Sequence, residues 1–222
     1  MGEKVRIERS DGTAFGGWLS EPAGQARGNV VLLQEIFGVN HQMRGLCETY
    51  AAEGYRALAP ALFDRVEPDV DLGYEPDDRA KGIALMQALA QDDVVADIGA
   101  ALAALPAAPT AVIGFCWGGR LAWASAGKLG DRLACAVGYY GGGIAKQLDL
   151  KPRCPVQLHF GETDQSIPLS DVEAIRAAYP ELELHVYPGG GHGFANAERS
   201  SFHRESSDLA FERTLAFLAG HL

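Results

Sequence analysis

Cys116 stands in Gly114-Phe115-Cys116-Trp117-Gly118, directly after the apolar run Ala111-Val112-Ile113. That spacing is the thiol form of G-x-S-x-G, the sharp strand-to-helix turn that lifts a nucleophile above a sheet. The run before it reads as a buried strand, and residues 117–128 after it fit a helix. Glycines at 114 and 118 let the flanking backbone and the next strand come close, so Cys116 can be held in a strained conformation with its sulfur in a cleft. A helix start also brings N–H groups and positive dipole density to the sulfur, which favours thiolate over thiol. The bland alternative is a glycine-rich turn around an inert buried cysteine.

Two further groups complete a nucleophilic constellation. Asp164 lies in Gly161-Glu162-Thr163-Asp164-Gln165-Ser166-Ile167-Pro168, just past an apolar run at 156–160, and His192 lies in Pro188-Gly189-Gly190-Gly191-His192-Gly193-Phe194, just past 184–187. Alone, such an Asp reads as a turn residue and such a His as a surface residue. In chain order they run nucleophile, acid, base, the order of an α/β-hydrolase site. Glu35 is the fourth candidate, because a carboxylate directly after the apolar run 28–33 must be paired or lie at a cleft. His41, His159, His185, His203 and His221 lack a comparable glycine frame and receive no role.

These groups need strands that end on one rim. Residues 5–8 and 15–19 flank Asp11-Gly12 as an opening hairpin, and strands follow at 28–33, 55–59, 111–113, 134–139, 156–160 and 184–187. Helices are expected at 43–53, closed by Gly54, at a segment opening on Pro76 and running through Leu89, at 94–105, at 117–128 and at 207–218. Residues 62–74 form a long acidic connection. Strands alternating with helices give an α/β class with a mostly parallel sheet, in which chemistry collects beyond the carboxyl ends of the strands. At 222 residues the chain is expected to be one domain, 1–222, burying roughly 70 to 75% of its unfolded surface.

Composition narrows the partners. The chain is 47% hydrophobic and 22% charged with a formal net charge of -10, which argues against nucleic acid and anionic membrane, since both need a basic patch. Cys47, Cys116, Cys135 and Cys154 are scattered with no zinc-like spacing, so free thiols in a reducing cytoplasm are expected. No stretch has the ~18 apolar residues of a membrane span, and the first residues carry no apolar leader.

The sequence resembles the dienelactone hydrolases (carboxymethylenebutenolidases) over nearly its whole length. The carrying pieces are Gln34-Glu35-Ile36-Phe37-Gly38-Val39-Asn40, Gly114 to Gly119, Val137-Gly138-Tyr139-Tyr140-Gly141, Asp164 with Pro168, and Gly191-His192-Gly193-Phe194-Ala195. The first is the most specific, separating this family from other hydrolases of the fold. The resemblance implies an α/β-hydrolase fold, a Cys116-Asp164-His192 triad, and Glu35 contacting the resting thiol and assisting its activation. It also implies an oxyanion hole from the N–H groups of Ile36 and Trp117, and a role in the degradation of aromatic compounds. The family holds its substrate's carboxylate with arginines: Arg79 occupies the first such place, but the second, four residues beyond the histidine, is Asn196, and a tyrosine expected one turn after Arg79 is Ile83. Arg120 and Arg199 read more simply as solvated or structural residues.

A thiolate nucleophile restricts the substrate, because the tetrahedral intermediate goes forward only when the other leaving group departs at least as well as sulfur. Amides and plain alkyl esters are then poor substrates, and enol esters or enol lactones good ones. The expected partner is a small-molecule ester or lactone, with a carboxylate implied by the resemblance. The chemistry calls for no metal or organic cofactor, and a monomer is favoured. Two alternatives compete. A glutamine amidotransferase shares the G-x-C-x-G turn but pairs it with His-x-Glu, whereas His192 is followed by Gly193-Phe194. A noncatalytic or thiol-sensing relative would not need an intact Asp164 and His192.

Overall fold

Strand-forming runs set the architecture, and those at 29–33, 110–115, 135–139 and 156–161 are buried along their whole length. The computed structural model describes residues 2–222. It contains two compact units, one ending at Thr110 and the other spanning Ala111–Leu222.

In the first unit, β1 (Glu3–Glu8) and β2 (Ala14–Ser20) form an antiparallel hairpin. β2 pairs antiparallel with β4 (Arg56–Pro60), which pairs parallel with β3 (Asn29–Leu33). The Val30-Val31-Leu32-Leu33 run is wholly buried, as befits a strand covered on both faces. α1 (His41–Ala52) begins where the Asn40 side chain accepts from the Met43 N–H and ends before Gly54, whose φ of +92° suits only glycine. α2 (Pro76–Gln87) opens on its proline, and α3 (Gln91–Ala104) begins three residues before the expected start. Asp92 and Asp93 in that added turn suit the positive helix end. A short 3-10 turn at Leu62–Arg65 breaks the acidic connection.

An ion triad ties this unit together. The Asp97 carboxylate, on α3, accepts from Arg9 Nε and Nη2 at 2.7 and 3.1 Å and from Arg65 Nε and Nη2 at 2.7 and 2.9 Å. Asp97 is fully buried and Arg9 nearly so, and removing one member of such a cluster strands the others. Asp97→Ala should therefore lower unfolding free energy by about 3 to 5 kcal/mol. An unchanged denaturant midpoint would show that the two guanidinia find water at no cost.

The strands of the second unit are all parallel: β5 (Thr110–Phe115, in this unit from Ala111 on), β6 (Cys135–Tyr139), β7 (Val156–Gly161) and β8 (Glu183–Tyr187) pair in that order. Their register pairs Phe115 with Tyr139, Tyr139 with His159, and Gly161 with Tyr187, so their carboxyl ends line up. α4 (Trp117–Leu129) follows β5, and α6 (Arg204–Ala219) closes the chain. α5 (Leu169–Ala178) was not legible in the sequence. It buries only Val172 and Ile175, too few apolar positions to show a period.

Candidate active site

Cys116 is the N-cap of α4 with φ 54° and ψ -113°. Among the described residues only Asp69, Cys116 and Tyr140 are non-glycine residues at positive φ, a conformation that costs of order 1 to 3 kcal/mol and recurs where function needs it. The surroundings enforce it. The Cys116 N–H donates to the Tyr139 carbonyl at 3.0 Å, and its own carbonyl accepts from the Arg120 N–H at 3.2 Å. A side chain at Gly114 would overlap the Gly118 carbonyl, so the turn closes only with glycine there. Gly119 also meets the next strand: a Cβ there would lie 2.5 Å from the Tyr139 carbonyl oxygen.

The loops after β7 and β8 carry the other two groups and are clasped to each other. Glu162 N–H donates to the Tyr187 carbonyl at 3.0 Å, Thr163 N–H to the Gly190 carbonyl at 2.9 Å, and Thr163 Oγ1 to that same carbonyl at 2.9 Å. Asp164 is thereby delivered to His192. Its Oδ2 lies 2.8 Å from His192 Nδ1, and its Oδ1 accepts from the Ser166 N–H at 2.7 Å. The carboxylate only accepts, so Nδ1 carries a proton and Nε2 is the nitrogen left to work. Nε2 lies 3.1 Å from Cys116 Sγ.

Sulfur, imidazole and carboxylate thus form one hydrogen-bonded line within the second unit. Burial alone would lower the His192 pKa, but the bonds to Asp164 and Cys116 outweigh it and raise the value to about 10. The imidazole is therefore favoured in its protonated form, with Nε2 directed at the sulfur. Cys47 and Cys135 are buried, and desolvation pushes both thiols up to about 12. They are inert packing.

The remaining expected site residues divide between the units. Trp117 opens α4, where N–H groups fall outside the helical ladder. Glu35 and Ile36 follow β3 in the first unit and are buried, Glu35 to 4% exposure. Their loop is locked by its neighbours: Gln34 Oε1 accepts from the Leu62 N–H at 3.1 Å, and the Phe37 carbonyl from the Leu72 N–H at 2.9 Å. Asn40 Nδ2 donates to the Leu72 carbonyl at 3.1 Å. A side chain at Gly82 of α2 would overlap the Ile36 carbonyl. Arg79 is exposed in the first turns of α2. Asn196 is buried, its Oδ1 accepting from the Glu198 N–H at 3.0 Å, so it is a turn residue. The Arg199 guanidinium lies over Gly193, a structural place. Among the described residues no group of three or more His, Cys, Asp or Glu side chains is placed to hold a metal ion, and no helix is long and apolar enough to cross a membrane.

Comparison with known proteins decides the family. A family model for the dienelactone hydrolases matches residues 15–222. The chain belongs to the dienelactone hydrolase family. A carboxymethylenebutenolidase of Pseudomonas putida is 35% identical over 98% of this chain and 96% of its own length. A candidate dienelactone hydrolase from Klebsiella pneumoniae superposes with a TM-score of 0.84 at 29% identity, covering 99% of both chains. A dienelactone hydrolase-like promiscuous phosphotriesterase from metagenomic libraries shares the fold, with a TM-score of 0.78 at 20% identity over 99% of this chain and 98% of that one. This dienelactone hydrolase relative therefore has the α/β-hydrolase fold and is a hydrolase of ester or lactone bonds acting on a small molecule.

Sequence reasoning missed two features of the site. Tyr140 packs its ring 5.3 Å from that of His192, at 61°. His159, fully buried, joins Tyr187 Oη at 2.7 Å and Gln157 Oε1 at 2.9 Å, and desolvation, followed by His185 and Arg213, holds its pKa well below the usual histidine range. A Tyr-Tyr-Gly ending a buried strand was the available signal for the first, since two adjacent large aromatics cannot share one face of an extended strand.

Proposed function

We propose that this protein hydrolyses an activated ester or enol lactone through a Cys116 thioester, with His192 as proton carrier and Asp164 as its orienting carboxylate. The observation that carries the reading is the unbroken line Sγ, Nε2, Nδ1, Oδ2 at 3.1 and 2.8 Å. The Cys116 thiolate adds to the acyl carbon, and the carbonyl π pair moves to oxygen. Two N–H donors, from Ile36 and Trp117 by family resemblance, meet that oxyanion. Collapse breaks the carbon–oxygen bond of the enol, and the His192 imidazolium supplies the leaving group's proton.

Acylation leaves the base free. The His192 imidazolium has by then given its proton to the departing enolate. His192 is left neutral and able to take a proton from water, whose oxygen attacks the thioester carbonyl. Expulsion of sulfur restores the thiolate beside the imidazolium. Glu35 is assigned the assisting role in thiol activation on substrate binding, a reading supported by its burial directly after β3.

The substrate is read as carrying a carboxylate, with Arg79 its partner. A panel of lactones and activated esters, with and without a carboxylate, tests both parts. The wild type should turn over enol lactones and aryl esters and leave amides untouched. Arg79→Ala should raise KM for carboxylate-bearing substrates about tenfold or more and spare the neutral ones. Equal losses on both sets would remove Arg79 from substrate binding, and no hydrolysis of any activated ester would remove the activity.

A further inference from the structure

Tyr140 has φ +37°, a genuine outlier for a bulky side chain. In an extended continuation of β6 its ring would leave on the face opposite that of Tyr139. The left-handed step instead brings both rings into one aromatic cluster. Tyr140 lies 6.3 Å from Phe115 and 5.4 Å, edge to face, from Phe194. The backbone is held there because the Tyr140 N–H donates to the His159 carbonyl at 2.7 Å, with the ring fully buried. The same step sets that ring 5.3 Å from His192 at 61°.

The imidazole needs such a wall. Its two nitrogens are held by Asp164 and Cys116, and two hydrogen bonds along one line leave the ring free to swing about that line or tilt off the sulfur. We propose that Tyr140 is a positioning residue for His192: the strained β6 terminus aims an aromatic ring that fixes the imidazole plane and keeps Nε2 on Cys116 Sγ. The inference rests on the reading of Cys116 and His192 as the reactive pair. It assigns the work to the ring and none to the hydroxyl.

The test compares Tyr140→Phe, Tyr140→Ala and Tyr140→Gly with Cys116→Ala, on one activated ester. Tyr140→Ala and Tyr140→Gly should lower kcat about 10- to 100-fold with KM nearly unchanged, the scale of a displacement near 1 Å at a reacting group. Tyr140→Phe should stay within about twofold of wild type, since it keeps the ring. Glycine adopts positive φ freely, so Tyr140→Gly keeps the backbone turn and reports on the ring even where the alanine variant folds poorly. Alkylation of Cys116 by neutral iodoacetamide at pH 7 should slow in both truncated variants, a readout that does not involve substrate contacts. Retained kcat in the glycine variant, a phenylalanine variant as impaired as alanine, or a loss confined to KM would each overturn the proposal. Should Cys116→Ala remain active, the nucleophile reading falls and this inference with it; an inactive Cys116→Ala beside fully active Tyr140 variants rejects Tyr140 alone.

Discussion

Cys116→Ala should reduce turnover of an activated enol ester by about 10⁵ to 10⁶, while any surviving oxyanion donors leave a small excess over the uncatalysed rate. The size follows from what is removed. In the proposed mechanism no covalent intermediate can form without the sulfur, and His192 is left beside a methyl group. The fold should be unaffected, because alanine keeps the Cβ that already tolerates φ 54° and the N–H still reaches Tyr139. Steady-state assay with a thermal midpoint settles it: appreciable turnover in a folded alanine variant would assign the nucleophile elsewhere.

Asp164→Asn should cost about 10⁴ in kcat, the loss seen when a carboxylate that fixes an imidazole tautomer becomes an amide. An amide can present its NH₂ to Nδ1, which turns Nε2 into the protonated nitrogen of a neutral ring and leaves it unable to accept a proton. The pH dependence moves with it. The folded His192 pKa of about 10 lies above the ordinary histidine value of 6.5, so its contribution to stability is complete below 6.5 and is lost as pH rises through 10. Replacing the Asp164 carboxylate takes away the hydrogen bond that leads the contributions raising it, and a charge contribution with it, so alkaline loss should begin at lower pH in the variant. Thermal midpoints between pH 6 and 10, run beside the alkylation rate of Cys116, measure both effects; superimposable profiles for variant and wild type would deny Asp164 any hold on the imidazole. The same alkylation profile in Glu35→Gln tests the assisting carboxylate.

The parts of this molecule that announce themselves in the sequence do so for one physical reason. A run such as Val30 to Leu33 or Ala111 to Ile113 is buried on both faces, so its apolar composition is continuous and its end is abrupt, and polar residues just beyond that end stand out. Cys116, Asp164 and His192 were visible because each occupies such an end. Tyr140 was hidden because its contribution depends on one backbone angle, +37°, which the Tyr-Tyr-Gly run does not by itself fix. His159 was hidden for the converse reason: a histidine in the middle of β7 looks like any other strand residue until Gln157 and Tyr187 are seen to satisfy both its nitrogens. α5 lacked a signal because most of its surface meets water.

The clasp of Glu162 and Thr163 to Tyr187 and Gly190 has an outcome for how such a site can change over time. Carboxylate and imidazole travel as one cassette, so drift in either loop drags its companion and preserves their spacing. The sulfur belongs to a different segment, anchored through its own amide to β6. Under the proposed roles, exchanging that single atom for oxygen is therefore a local edit, and a lineage can trade one reactive element for another without rebuilding the proton-handling half.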